Sequence, residues 1–154
     1  MPIEATICLI RRDGHVLLQQ KAAGRFGAGR WNAPGGKRAP GESPTECAVR
    51  EVLEETGLKV HDCTPHGAFT EHFGDGEKPS WVVHAFASDE FGGELRPNAE
   101  GILQWFPEQE LPYPEMWASD HLWLPHVLGG GEVEATFWFD ATGERLLKHD
   151  LALK

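Results

Sequence analysis

A β-sheet carried between helices is the fold class that this chain of 154 residues predicts. Short apolar and β-branched runs recur along most of its length. One strongly capped helix interrupts them near residue 44, and a second helical stretch precedes a final hairpin. Strands and helices mixed in that order suggest an α/β domain with helices packed against a sheet.

Residues 6–10 and 15–21 read as strands joined by the hairpin signal Asp13-Gly14. A glycine-rich loop follows over residues 22–36, and then the capped helix. Residues 58–60, 67–73 and 80–87 read as further strands, with Gly74-Asp75-Gly76 as a turn. Residues 102–106 read as a strand and 107–111 as a turn or short helix. Residues 117–128 read as helical, capped by Ser119 or Asp120; Pro125 inside that stretch predicts a kinked or two-part element. Gly129-Gly130-Gly131 is a break before a last hairpin, residues 132–140 and 145–153 around Ala141-Thr142-Gly143. With no internal repeat and no linker, residues 1–154 read as one domain.

Composition narrows the functional classes. Apolar residues make up 40% and charged residues 25%, as in an ordinary globular protein. The sequence contains no 18-residue apolar run and no signal-peptide pattern, which reads as a soluble, cytoplasmic protein without a membrane partner. Cys8, Cys47 and Cys63 are odd in number and lack C-x-x-C spacing, against a disulfide framework or a zinc site. The histidines follow no metal-ligand spacing. A net charge of −10 argues against a surface that coats a nucleic-acid polymer. The charge is uneven, however. Between Lys21 and Arg38 stand five basic residues, Lys21, Arg25, Arg30, Lys37 and Arg38, and no acidic one. That stretch reads either as a solvated basic loop or as a source of cations for a polyphosphate. Nothing in the sequence separates a monomer from a dimer.

The informative segment is residues 36–58. Ser43-Pro44-Thr45-Glu46 is a capping box with proline in the first helical position, and Gly57 suits the left-handed residue just beyond a helix end. These signals predict a helix over residues 44–56. Its periodicity places Thr45, Val49, Val52, Leu53 and Thr56 toward the core and Glu51, Glu54 and Glu55 on the other side, with Cys47 beside them. Carboxylates at i, i+3 and i+4 repel one another unless a cation sits among them, and they are hard oxygen ligands suited to Mg²⁺ or Mn²⁺. Alone, such a face is an ordinary solvated one. Gly35-Gly36 before the helix, Glu42 on its approach and the Gly57 stop set this one apart. Arg50 can pair with Glu46 or Glu54 on the helix surface.

Residues Gly36 to Leu58 fill every position of the pattern G-x5-E-x7-R-E-U-x-E-E-x-G-U, where U is aliphatic. The segment resembles the Nudix box, the metal-binding loop-helix-loop of the Nudix hydrolases, whose α/β/α sandwich has a mixed sheet between helices. The likeness extends beyond the box. The runs from Phe26 to Asn32, Trp105-Phe106, Met116-Trp117 and Trp123-Leu124-Pro125 look like the MutT-homologue branch. That branch comprises diphosphatases for oxidised purine nucleoside triphosphates such as 8-oxo-dGTP. The resemblance implies metal ligation by Glu51, Glu54, Glu55, the Gly35 carbonyl and Glu100, with Arg50 orienting a glutamate. It implies substrate contacts near Thr6, Lys21, Phe26, Asn32, Trp81, Trp117, Ser119, Asp120 and Trp123. Glu54 and Glu55 are the candidates for metal ligand and general base, and their roles stay undivided.

Two departures bear on the base. The branch has adjacent aspartates where this chain has Ser119-Asp120, and aromatic residues on the strand after the box where this chain has His72-Phe73-Gly74. A lone ionised aspartate accepts the paired donors of a guanine edge, which predicts 8-oxo-dGTP over 2-hydroxy-dATP. The proline that marks ADP-ribose hydrolases beyond the box is missing, and the single tyrosine, Tyr113, does not match the dinucleoside polyphosphate branch. The expected reaction is metal-dependent hydrolysis of a purine nucleoside triphosphate to monophosphate and pyrophosphate. The alternatives are hydrolysis of another nucleoside diphosphate derivative and a non-catalytic nucleotide-sensing module.

Overall fold

The computed structural model describes residues 1–24, 27–96, 98–99 and 101–154. Its strands are β1 (Ile3–Arg12), β2 (His15–Lys21), β3 (Trp31–Asn32), β4 (Gly35–Lys37), β5 (Leu58–Val60), β6 (Thr64–Phe73), β7 (Trp81–Ser88), β8 (Phe91–Gly93), β9 (Gly101–Pro107), β10 (Val133–Phe139) and β11 (Leu146–Leu153). Its helices are α1 (Pro44–Thr56) and α2 (Asp120–Leu128), with a 3₁₀ turn at Tyr113–Glu115.

The main sheet has nine strands in the order β11-β10-β6-β7-β1-β2-β3; β4 also pairs with β1 and β9 with β2. The pairs β1–β7 and β6–β10 are parallel and the other ladders antiparallel, so the sheet is mixed. β1 begins the sheet beside β4, with Thr6 opposite Gly36, and meets β2 only at the hairpin tip, where Arg12 faces His15. Asp13 and Gly14 make that turn with φ of 51° and 74°, the two positive angles that a tight hairpin needs. Below the tip, β2 leaves β1 and pairs with β9 and β3. This parting of β1 and β2 opens the cleft described below.

Strand alternation sends side chains to two cores. Ile7 and Leu9 join Phe69, Val83, Phe137 and the α2 residues Trp123, Leu124 and Val127 on one face. Cys8 and Ile10 join Leu17, Phe86 and the α1 residues Ala48 and Val52 on the other. The helices therefore cover opposite faces, as an α/β/α sandwich requires.

Three expectations are corrected. First, the buried side of α1 is Ala48, Val52 and Thr56 flanked by Cys47 and Glu55, whereas Thr45 and Leu53 are exposed and Val49 is half-buried. The helix lies closer to the sheet on its Cys47–Glu55 side because Gly35 and Gly36 present bare backbone there. A Cβ on Gly35 would stand 1.9 Å from the Thr6 carbonyl oxygen. Second, α2 runs unbroken through Pro125. The proline removes one backbone donor from a short helix that buried Trp123, Leu124, Val127 and Leu128 hold in place. Third, β3, β4 and β8 arise where the sequence shows loop. They have only two or three residues, and pairing rather than pattern makes them strands. The turn expected over residues 107–111 is present, closed by the Glu110 N–H donating to the Pro107 carbonyl at 3.0 Å, and a separate 3₁₀ turn follows it.

Candidate active site

The glutamate helix starts as its sequence dictates. Ser43 Oγ accepts from the Glu46 N–H at 3.1 Å, and Glu46 Oε1 accepts from the Ser43 N–H at 2.9 Å. Gly57 closes it with φ of 81°, its N–H donating to the Leu53 carbonyl. Arg50 is the hub of the charged network. Its Nε and Nη2 donate to the two oxygens of Glu42 at 2.6 and 2.9 Å, a bidentate pair. Its Nη1 donates to Glu51 at 2.8 Å and to Glu54 at 3.2 Å. The Arg50 guanidinium, with the Ala39 N–H beyond it, lowers the Glu42 carboxyl to about 2. Arg50 therefore orients three glutamates, more than a single surface pair.

Glu55 points into the fold. Its side chain is 7% exposed, against 58% for Glu54. Its Oε2 accepts from the Gly35 N–H at 3.1 Å, and its Oε1 lies 3.7 Å from Lys21 Nζ. The Asn98 amide donates to its backbone carbonyl. A Cβ at Gly36 would stand 2.5 Å from the Glu51 carboxylate, so the glycine pair forms the bed on which Glu51 and Glu55 lie.

A cleft of about 450 Å³ runs from this bed to α2. Glu51, Glu55, Gly35, Gly36, Lys21 and Lys37 line one end; Asn32, Phe69, Glu71, Trp81, Trp117 and Asp120 line the other. Arg30 stacks on the Trp117 ring at 4.2 Å and donates to the Gly143 carbonyl at 3.3 Å, bracing that wall. Lys37 sits 5.4 Å from the Trp81 ring centroid. Asn32 borders the cleft, and its Oδ1 accepts from the Ala33 N–H at 2.9 Å. Asp120 is buried at the start of α2 and accepts from the Trp117 N–H at 3.2 Å. Burial raises its carboxyl to about 7, with that N–H, the Trp123 indole and the Arg30 guanidinium pulling the other way.

The sequence-predicted residues therefore divide. Glu51, Glu55, Gly35, Lys21, Asn32, Trp81, Trp117 and Asp120 come together along the cleft. Thr6 also borders it, but its hydroxyl is 3.3 Å from Cys47 Sγ on the α1 side. Glu54 stands outside, beside Arg50, so the three carboxylates do not converge as helix spacing alone suggested. Among the described residues no three acidic, imidazole or thiol groups are placed so that they could together hold a metal ion. Ser119 and Trp123 are not on the cleft wall: both are fully buried, and Trp123 packs on Phe69 at 4.9 Å. Arg38 turns to Glu4 and the Glu42 carbonyl, away from the cleft. Phe26 and Glu100, assigned to substrate and metal by resemblance, and Arg25 lie outside the described residues.

One residue was missed. Glu71 lines the cleft between Phe69 and Phe73, which share its face of β6. The alternation Phe69-x-Glu71-x-Phe73 was the available signal, since it puts a carboxyl on a core-facing row.

A mixed sheet between two helices, with a glutamate-rich helix at the mouth of its cleft, is the architecture of the NUDIX domain. The family model for that domain matches residues 1–127, and the chain belongs to the family. It is similar to the oxidized purine nucleoside triphosphate hydrolase of Danio rerio, 42% identical over 123 residues that cover 80% of this chain and 78% of the relative. A protein of the same description from Mus musculus is 37% identical, with the same coverage. Among solved structures, the Mutator MutT protein from Bacillus halodurans matches with a TM-score of 0.86 at 33% identity, covering 97% of each chain.

Proposed function

We propose that this protein hydrolyses oxidised purine nucleoside triphosphates, of the 8-oxo-dGTP kind, to nucleoside monophosphate and pyrophosphate. One observation carries the reading: a single cleft joins a carboxylate-and-lysine end to an end walled by Trp81 and Trp117 and furnished with Asn32 and Asp120. The first suits a polyphosphate with its cation, the second a flat heterocycle with a polar edge. Similarity to the two purine nucleoside triphosphate hydrolases supports the same substrate class.

Glu51, Glu55 and the Gly35 carbonyl are the hard oxygen donors that would hold Mg²⁺ or Mn²⁺, with Glu54 exposed beside Arg50 outside the cleft. The donor set fits such an ion, and the glycine bed lets the Glu51 carboxylate lie where any larger residue would displace it. A divalent ion bound there supplies polarisation of phosphate oxygens and a lowered pKa for the attacking water. Arg50 holds Glu51 and Glu54 in orientation, so that these carboxylates are preorganised. Lys21 and Lys37 offset phosphate charge, and a carboxylate of the same helical turn takes the proton of the attacking water. Trp81, Trp117 and the Arg30 brace fix the base, so base identity acts on kcat/KM. The three cysteines are all free, which suits a reducing compartment such as the cytoplasm.

The test is a panel of 8-oxo-dGTP, dGTP, 2-hydroxy-dATP, dCTP and ADP-ribose with Mg²⁺, products identified by mass. Oxidised purine triphosphates are expected to give monophosphate and pyrophosphate at the highest kcat/KM. Preference for dCTP or ADP-ribose, or binding without turnover, would overturn the reading.

A further inference from the structure

Glu71 occupies a position that sheet geometry reserves for an apolar side chain. Its neighbours two residues away on β6 are Phe69, which packs on Trp123, and Phe73, whose ring lies 6.1 Å from Trp117. Across the sheet its register partners are Trp81 on β7 and Phe137 on β10. Its carboxyl receives no hydrogen bond and no ion pair from the described residues. What it does have is an opening into the cleft, where Asp120 approaches from α2. A desolvated carboxyl with no protein partner is costly unless it is neutral or meets a ligand.

Resting on the nucleotide reading above, we propose that Glu71 is a base-reading residue: its carboxyl group donates a hydrogen bond to an acceptor on the purine edge whose neighbouring donors bond to Asp120. The two carboxyls face one space from two elements, and the chemistry of a guanine-type edge is complementary to them. That edge carries O6 as acceptor beside N1–H and N2–H₂ as donors. Burial first, and then the charge of Asp120, raises Glu71 to about 8, so the acid form that can donate is present at neutral pH. The same two groups, titrating as a pair with one proton between them, also fit an adenine-type edge, whose N1 acceptor lies beside an amino donor. Glu71 thus supplies from β6 the second carboxyl that Ser119 cannot supply. It widens the base range that the lone Asp120 predicted, from guanine-type bases toward 2-hydroxyadenine.

The charged groups bordering this space are Asp120 from α2, Arg30 against Trp117, Lys37 over Trp81, and Lys21, with Glu51 and Glu55 at the far end.

The experiment measures binding of 8-oxo-dGMP and 2-hydroxy-dAMP by calorimetry at pH 6.5 and pH 9. It uses the wild type, Glu71→Gln and Glu71→Leu. Wild-type affinity for both is expected to fall about tenfold or more between the two pH values. Glu71→Gln keeps a donor that does not titrate, and its pH dependence should shrink clearly. Glu71→Leu suits its apolar neighbours and should fold, yet bind about 10- to 100-fold more weakly at pH 6.5, in line with loss of a buried hydrogen bond to the ligand. Wild-type affinity in Glu71→Leu, equal loss in the Gln and Leu variants, or a wild type that binds neither monophosphate would overturn the proposal. Because monophosphate binding needs no turnover, a protein that binds in this pattern but hydrolyses nothing would refute the hydrolase reading alone.

Discussion

The two ends of the cleft treat carboxyl groups in opposite ways. At the α1 end each glutamate has a cationic or N–H partner: Glu42, Glu51 and Glu54 share Arg50, and Glu55 takes the Gly35 N–H beside Lys21. At the base end Glu71 and Asp120 stand among Phe69, Trp81 and Trp117; Asp120 has the Trp117 backbone N–H and the Trp123 indole beside it, and the Arg30 guanidinium lies behind the Trp117 ring. The consequence is a divergence of acidity between the Arg50 network beside the cleft and the base end within it, with Glu42 lowered to about 2 and Asp120 and Glu71 raised to about 7 and about 8. Pairing with Arg50 favours the ionised carboxylate of Glu42 beside the glutamate helix. Desolvation keeps protons where base recognition needs donors.

The comparison is broken most severely at the phosphate end. Glu55→Gln removes the enclosed oxygen donor, and kcat for 8-oxo-dGTP should fall by about 10²- to 10⁴-fold with the fold intact. Glu54→Gln should also reduce kcat, but less, because Glu54 is exposed and outside the cleft. Equal kcat in Glu55→Gln and wild type, or wild-type turnover in excess EDTA, would separate the glutamate helix from the chemistry. The next effect lies at the base end. Asp120→Ala should cost about 10- to 100-fold in kcat/KM for 8-oxo-dGTP and little for dCTP, since only the former offers the paired donors. A mutant with an unchanged ranking across the nucleotide panel would move base recognition elsewhere.

The same division separates what the sequence made legible from what it hid. Helix α1 was readable to the residue because its signals are local: a capping box, a proline at the first position and a glycine stop. Its glutamates were readable as a constellation because one helix carries them at fixed spacing. The rotation of its buried face was not, because it depends on how closely two glycines let β1 and β4 approach. At the base end the residues come from β3, β6, β7 and α2, and no local spacing reports their convergence. Trp117 and Trp123 look alike in sequence, yet one walls the cleft and the other fills the core. Ser119, adjacent to the pocket residue Asp120, is sealed behind it. Glu71 was visible only as a charged break in an aromatic alternation, and its meaning depended on a helix far along the chain.

The smallest predicted effect is on stability, and its sign follows from the raised acidity at the base end. For Glu71 the folded value, about 8, lies above the ordinary 4.5. Between those pH values the native state holds more protons than the unfolded chain, so stability falls as pH rises through the window. Glu42 works in reverse: its value of about 2 gives stability that is present above about pH 4.5 and lost as pH falls toward 2. Glu71→Gln abolishes the first slope without disturbing the second. At pH 9 the variant should therefore melt several degrees above the wild type, a gain on the order of a few kcal/mol at most. Below pH 4.5 the two should converge, because the carboxyl then becomes largely neutral in both states. Asp120 remains, so some decline with pH persists in the variant. Melting curves of both proteins from pH 4 to pH 9 decide the matter. A constant gap in Tm would assign the gain to packing, whereas a gap that opens between pH 4.5 and pH 8 would assign it to a proton held by Glu71.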